Sequence, residues 1–181
     1  MTKNTKRLLF GVIAVAVPGG TYAALLLHPA EEEADSVPSE ELVSMDTADL
    51  ASVQVTLRDG SSFTMTTSSD DSGTSYTMSG ASEDDYSESL MQGLMDAACD
   101  ISARPIEETC SDPEKYGLSA EDDTNTLVIT DTDGTAVTLT IGLSGELGTY
   151  CSTHGGTAVY LLDSDTAETL TQAQPYYRNL T

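Results

Sequence analysis

Cys151-Ser152-Thr153-His154 sets a thiol and an imidazole three positions apart, the beginning of a metal site or of a cysteine–histidine pair. A structural zinc site takes four ligands, and a catalytic one usually three plus water. The only other histidine, His28, lies far upstream at the edge of an apolar run. In a strand, positions three apart also face opposite ways. Cys99, Cys110 and Cys151 are the three cysteines. In an oxidising compartment one pair of them can join and one thiol is left over. Cys99–Cys110 is near in sequence, and Cys110–Cys151 would tie a central turn to the sheet. Spacing does not choose among the pairings or exclude three reduced, partly buried thiols. Asp131-Thr132-Asp133-Gly134 begins like a calcium loop, yet Ile129 and Val137 fall where further ligands belong. A hairpin turn accounts for the same residues. The acidic residues Asp70, Asp71, Glu83, Asp84 and Asp85 offer only unspecific cation binding. No phosphate-cradling glycine loop, GxSxG elbow or basic patch is present. The expectation is therefore a non-enzyme without catalytic residues, cofactor or metal, with an envelope hydrolase the least favoured class.

Charge narrows the partners. The chain of 181 residues has a formal net charge of −23, and Lys3, Lys6 and Arg7 all precede the first acidic residue, Glu31. The remainder carries 4 basic against 30 acidic residues, a formal −26. Such a surface repels nucleic acid, whose binding depends on Lys and Arg neutralising phosphates, and repels anionic lipid headgroups. It suits a soluble domain, a basic partner or a salty exterior.

Elements that could position a site begin after an unusual N-terminus. Residues 1–7 form a basic tail, and residues 8–27 carry no charge. That is about twenty positions, the length of a membrane-spanning helix. Basic charge before the run and acid after it place the tail inside and the remainder outside. Pro18-Gly19-Gly20 interrupts the run and leaves an apolar half of signal-peptide size, so the segment reads as an anchor or as a cleaved signal. No cysteine follows it closely, which argues against a lipoprotein anchor. Residues 28–41 are rich in Pro, Ala and Glu and read as a self-repelling, extended linker.

The extracytoplasmic domain is expected over residues 42–181, with an α+β fold: antiparallel hairpins forming one sheet, and a helix on one face. Leu127 and Ile129 alternate with polar residues, Asp133-Gly134 turns the chain, and Val137, Leu139 and Ile141 alternate on the return. This is a strong hairpin pattern. Val53, Val55 and Leu57, then Arg58-Asp59-Gly60, then Phe63 and Met65 repeat it. Residues 68–74 read as a loop and Tyr76–Met78 as a short strand. Ser82 can cap a helix running from Glu83 to Asp100, with Tyr86, Leu90, Leu94, Ala97 and Ile101 as its apolar stripe and Met91 and Met95 widening it. The Met-rich part is read as core rather than as an adaptable binding face. Arg104-Pro105 would end that helix. Asp112-Pro113 opens a turn that Gly117 can close with a positive φ, and Tyr116 and Leu118 plug one end of the core. Two further strands, residues 149–152 and 158–162, and a short helix over residues 166–174 complete the domain. A hairpin, a Tyr-bearing strand and a capped helix occur twice, which suggests two such units sharing one sheet.

Asp112-Pro-Glu-Lys-Tyr-Gly-Leu118, Thr130-Asp-Thr-Asp-Gly134, Leu139-Thr-Ile-Gly142, Thr149-Tyr150, Ala158-Val-Tyr160 and Tyr177-Arg178-Asn179 form an ordered set. Ala48-Asp49-Leu50 and Val53-Gln54-Val55 extend it, so that it covers most of residues 45–181. In this set the chain resembles the bacterial domain-of-unknown-function family numbered 4340. The resemblance implies a membrane-anchored extracytoplasmic protein that accompanies ABC-transporter and gliding-motility-like components in an accessory role. It implies no catalytic residues. Many members of that family are longer, with further copies of the domain, and a W-x-I-like position is here Tyr76-Thr77-Met78. The expected function is a non-catalytic interaction module at the cell membrane with a membrane-protein partner. The alternative is an extracytoplasmic ligand- or cation-binding sensor.

Overall fold

Alternation of apolar and polar residues builds most of the molecule, as a computed structural model shows for residues 38–70, 73–82, 85–119, 123–153 and 156–179. The apolar run over residues 8–27 and the start of the linker lie outside the described residues. Among the described residues no helix is long and apolar enough to cross a membrane. The strands are β1 (Glu40–Ser44), β2 (Leu50–Thr56), β3 (Ser62–Asp70), β4 (Gly73–Met78), β5 (Asp100–Glu107), β6 (Asn125–Asp131), β7 (Ala136–Gly145), β8 (Gly148–Thr153) and β9 (Val159–Leu162). The helices are α1 (Glu88–Cys99) and α2 (Ser164–Leu170). The fold is α+β and mostly sheet.

All nine strands join one antiparallel sheet in the order β1-β5-β9-β8-β7-β6-β2-β3-β4. β2 and β6 form its seam. From there β3 and β4 fan out one way and β7, β8 and β9 the other, so the two hairpin units share one sheet. Their turns match: Gly60 has φ 82° and Gly134 φ 83°, conformations that favour glycine. Both expected hairpins form, with Val53 opposite Met65, Val55 opposite Phe63, and Leu127 opposite Leu139.

The chain then crosses through α1 from one edge, β4, to β5, which lies beside the opposite edge strand β1. Nine strands laid flat would span about 38 Å, at about 4.8 Å per gap. A helix of 12 residues is about 18 Å long. Yet α1 touches β1, β2, β4 and β5. The sheet must therefore curl around the helix. Register shifts at Glu41/Val43, Leu50/Ser52, Pro105/Glu107 and Ile141/Ser144 supply local bends. Met91, Leu94, Met95 and Ala98 fill the concave side, together with Val53, Val55, Ile129 and Leu139. The methionine stripe is core, as predicted.

Five elements differ from the pattern-based expectation, one of them α2, which spans Ser164–Leu170 with Asp163 as its N-cap rather than residues 166–174. The helix starts at Glu88 rather than at Glu83, with Ser87 as its N-cap instead of Ser82. Tyr86 forms an isolated antiparallel bridge with Arg178, and the Asn179 backbone N–H donates to the Asp85 carbonyl at 3.0 Å. Those bonds hold Tyr86 in a β-bridge, after a tight turn in which the Asp85 N–H donates to the Ser82 carbonyl at 3.0 Å. Ile101 belongs to β5, not to the helix: Ile101 and Ala103 alternate with exposed Asp100 and Ser102, and Pro105 sits at a bulge that tolerates its missing N–H. The expected loop over residues 68–74 is largely strand, because β3 and β4 pair out to Asp70 and Gly73. Glu40 and Glu41 already belong to β1 on the sheet edge, two residues before the expected domain start.

The convex face carries a second, smaller apolar cluster. Tyr116, Val159 and Leu161 are buried but lie apart from the main core. The turn Pro113–Tyr116 covers this cluster and passes close over β7 at Gly142. A Cβ on Gly142 would strike the Tyr116 carbonyl oxygen and lie 2.7 Å from that of Gly117. Near the seam the convex face carries an uncharged polar row, Thr56–Thr126–Thr140–Ser152, with Gln54 and Thr138 flanking Val128 beside it, while Arg104 of β5 stands opposite Leu161.

Two glycines should respond oppositely. Gly142→Ala is expected to lose about 1–3 kcal/mol in urea unfolding, because backbone cannot move aside. Gly93→Ala, mid-helix with nothing within 4 Å of the added carbon, should gain about 0.5–1 kcal/mol. Equal stability of the two variants would contradict this packing.

Candidate functional site

The central turn brings together several residues singled out above. Asp112 precedes a 3₁₀ turn over Pro113–Tyr116, and Gly117 closes it at φ 64°. The Gly117 N–H donates to the Glu114 carbonyl at 3.0 Å, and the Leu118 N–H to that of Pro113 at 3.0 Å. The Tyr116 ring packs on Tyr150 with centroids 4.8 Å apart. Its hydroxyl reaches the rim and donates to the Glu107 carboxylate. Lys115 Nζ donates to Tyr116 Oη at 2.9 Å and stands 3.5 Å from Glu107 Oε1. The Cys110 thiol also bonds Glu107, and the Cys110 N–H donates to the Thr157 carbonyl at 2.8 Å.

These contacts hold protons rather than move them. The Tyr116 hydroxyl bond, with help from Lys115 and Cys110, keeps the Glu107 carboxyl below its ordinary range. The same bond to Glu107 raises the Tyr116 phenol, and the bond to Tyr116 raises the Lys115 ammonium. At neutral pH the cluster is a carboxylate, a phenol and an ammonium, and it clasps the turn to the sheet end.

The other chemical candidates are dispersed. Cys99 at the end of α1, Cys110 before the turn and Cys151 on β8 stand as free thiols. Burial pushes the Cys99 thiol up to about 11 and the Cys151 thiol up to about 12, far from the thiolate a nucleophile needs. His154 lies outside the described residues, as do Asp71, Glu83 and Asp84. The Asp131 carboxylate serves its own turn, accepting from the N–H groups of Asp133 at 3.0 Å and Thr135 at 2.7 Å.

Pattern reading missed a cleft of about 600 Å³ between α1 and α2. Its α1 wall is Ser89, Leu90, Gly93, Leu94 and Ala97, of which Leu90 and Ala97 are half-buried against the margin of the core. The facing wall is Asp165, Glu168 and Thr169 of α2, with Gln172 just beyond the end of that helix. Tyr176, 51% exposed, stands at its margin. The signal was available: Leu90 and Ala97 sit one position before Met91 and Ala98, on a stripe too wide for one sheet contact. Beneath the cleft Tyr177 is 1% exposed and packs on Phe63 and edge-on against Tyr176. Its buried hydroxyl has no hydrogen-bond partner among the described residues, and burial raises its pKa. A smaller cleft of about 200 Å³ includes Arg58, Asn125 and Glu168. There Arg58 Nη2 donates to the Gly142 carbonyl at 3.2 Å.

The clasp gives a pH prediction. Glu107 titrates lower when folded than when unfolded, so its stabilisation is present above the unfolded value and is lost as pH falls through the folded one. Tyr116→Phe should return the Glu107 carboxyl toward its ordinary range in an NMR titration and flatten this acid dependence. An unmoved Glu107 would dissolve the clasp. Tyr177→Phe removes a buried, unpaired hydroxyl while keeping the ring, and should leave stability unchanged or raise it by about 1 kcal/mol. A loss of that size in thermal unfolding would mean that the hydroxyl is bonded.

No family model matches the chain, and neither a curated protein nor a solved structure matches it.

Proposed function

We propose that this chain is a membrane-anchored, extracytoplasmic, non-catalytic interaction module, accessory to an ABC-type transport or envelope complex. The observation that carries the reading is the open cleft between α1 and α2, which sets a half-buried apolar helix edge beside an acidic one on the domain that follows a charge-free run of membrane-spanning length. The basic tail before that run and the acidic linker after it support the orientation. The resemblance through residues 112–118 and 130–142 supports the transport association. The clasp at Glu107 and the buried thiols Cys99 and Cys151 support a structural rather than a chemical use of the reactive side chains.

Of the second reading, an extracytoplasmic ligand- or cation-binding sensor, the Arg58 cleft favours the ligand-binding form, with an anionic ligand. The Arg58 guanidinium is one of only 4 cationic side chains beyond the basic tail.

In-cell crosslinking of the full-length chain, followed by identification of what co-purifies, separates the two. Integral membrane components of a transporter or envelope complex are the expected result. Recovery of the protein alone, together with a thermal midpoint raised by a small carboxylate, would move the reading to ligand sensing.

A further inference from the structure

We infer that the cleft between α1 and α2 receives a basic amphipathic helix from a membrane partner, packed as a third helix on the exposed edge of this pair. The inference rests on the interaction-module reading and specifies the chemistry of the partner.

The two walls of the cleft make different demands. The α1 wall presents Leu90, Gly93 and Ala97, at spacings of three and four that form one ridge. Nothing lies within 4 Å of where a Gly93 side chain would begin. A small residue at the middle of a helix edge lets a second helix approach backbone to backbone, and flanking apolar residues then bury area against it. The α2 wall presents Asp165 and Glu168 three residues apart, on one side of a helix with no basic residue in its last turn. A ligand satisfying both walls has apolar or small residues on one face and Lys or Arg on the next. That is an amphipathic basic helix laid in a groove.

Size and long-range charge agree. A cleft of about 600 Å³ takes a few side chains of such a helix, and exposed Tyr176 at its margin is the residue type that anchors interfaces. The formal −26 beyond residue 7 attracts a cationic segment and repels a second copy of this chain from the same acidic wall. A neutral or acidic helix would match Leu90, Gly93 and Ala97 yet leave the negative charge of Asp165 and of Glu168, whose carboxylate accepts only from the neutral Gln172 amide at 3.4 Å, without a cation.

The test uses the full-length chain in detergent and a fluorescent synthetic helix of Leu, Ala and Lys, read by anisotropy at low salt. Gly93→Leu should abolish binding by filling the α1 wall, while leaving the thermal midpoint unchanged or higher. Asp165→Asn with Glu168→Gln should weaken binding about fivefold, the effect of two partly exposed charge pairs. Glu114→Gln with Glu146→Gln removes the same charge elsewhere and should change binding less than about twofold. If the two double variants weaken binding equally, the attraction is only that of net charge and the cleft is not the site. Failure of the probe to bind the unaltered chain, or binding undisturbed by Gly93→Leu, also overturns the inference. Any of these results, obtained with transporter components still captured in cells, leaves the interaction-module reading standing with its contact elsewhere.

Discussion

The contact between α1 and the concave side of the sheet is the constraint on which the rest depends. A helix of 12 residues cannot reach both edges of a flat nine-stranded sheet, so burying its Met91, Leu94, Met95 and Ala98 requires the sheet to bend. Four register shifts permit that bend, and unbranched Met91 and Met95 adapt to the curved floor. The connection from β4 to β5 makes this contact topological as well as energetic. Without α1 seated, the two edges of the sheet have no common support. The Met45 N–H, donating to the Cys99 carbonyl at 3.0 Å, joins the end of that helix to the segment after β1.

Seating one stripe of α1 leaves another stripe over. The helix is apolar across more of its circumference than a single concave surface can cover, and α2 covers only part of the remainder. Leu90, Gly93 and Ala97 therefore line a cleft whose opposite wall is acidic. On the convex side the balance differs. There Tyr116 and its turn shield a small apolar cluster, and hydroxyl-bearing residues such as Thr126 and Thr140 occupy the open surface without charge. A carboxylate-lined cleft thus lies on the helical side, and an uncharged row of hydroxyl-bearing residues crosses the middle of the sheet on the other.

The hairpins were legible because alternation and Asp-Gly or Asn-Gly-type turns are local signals. Val53 opposite Met65, Leu127 opposite Leu139 and the Asp131–Gly134 turn follow from residues within a few positions of one another. The strands at the other edge were not legible, since β1 and β5 earn their conformation from pairing across the chain, and Ile101 also fits the helical spacing upstream of it. The start of α1 escaped for a similar reason: Tyr86 is held extended by Arg178 and Asn179, far away in sequence. The DPEKYGL turn was visible from its Pro and Gly, but its clasp was not. Glu107 joins Tyr116 and Lys115 only after β5 has taken its place. The cleft was hidden by the assumption that every apolar residue on α1 faces the sheet.

The central claim is that the side of α1 left open by the curled sheet is where a partner sits. Site-specific photocrosslinking in cells tests it most directly. A photoreactive phenylalanine analogue is placed at Tyr176, at the cleft margin, and separately at Thr138, on the convex face. The account predicts an adduct to an integral membrane protein from position 176 that disappears with Gly93→Leu, and none from position 138. An adduct from position 138 alone, or one from position 176 indifferent to Gly93→Leu, would contradict it.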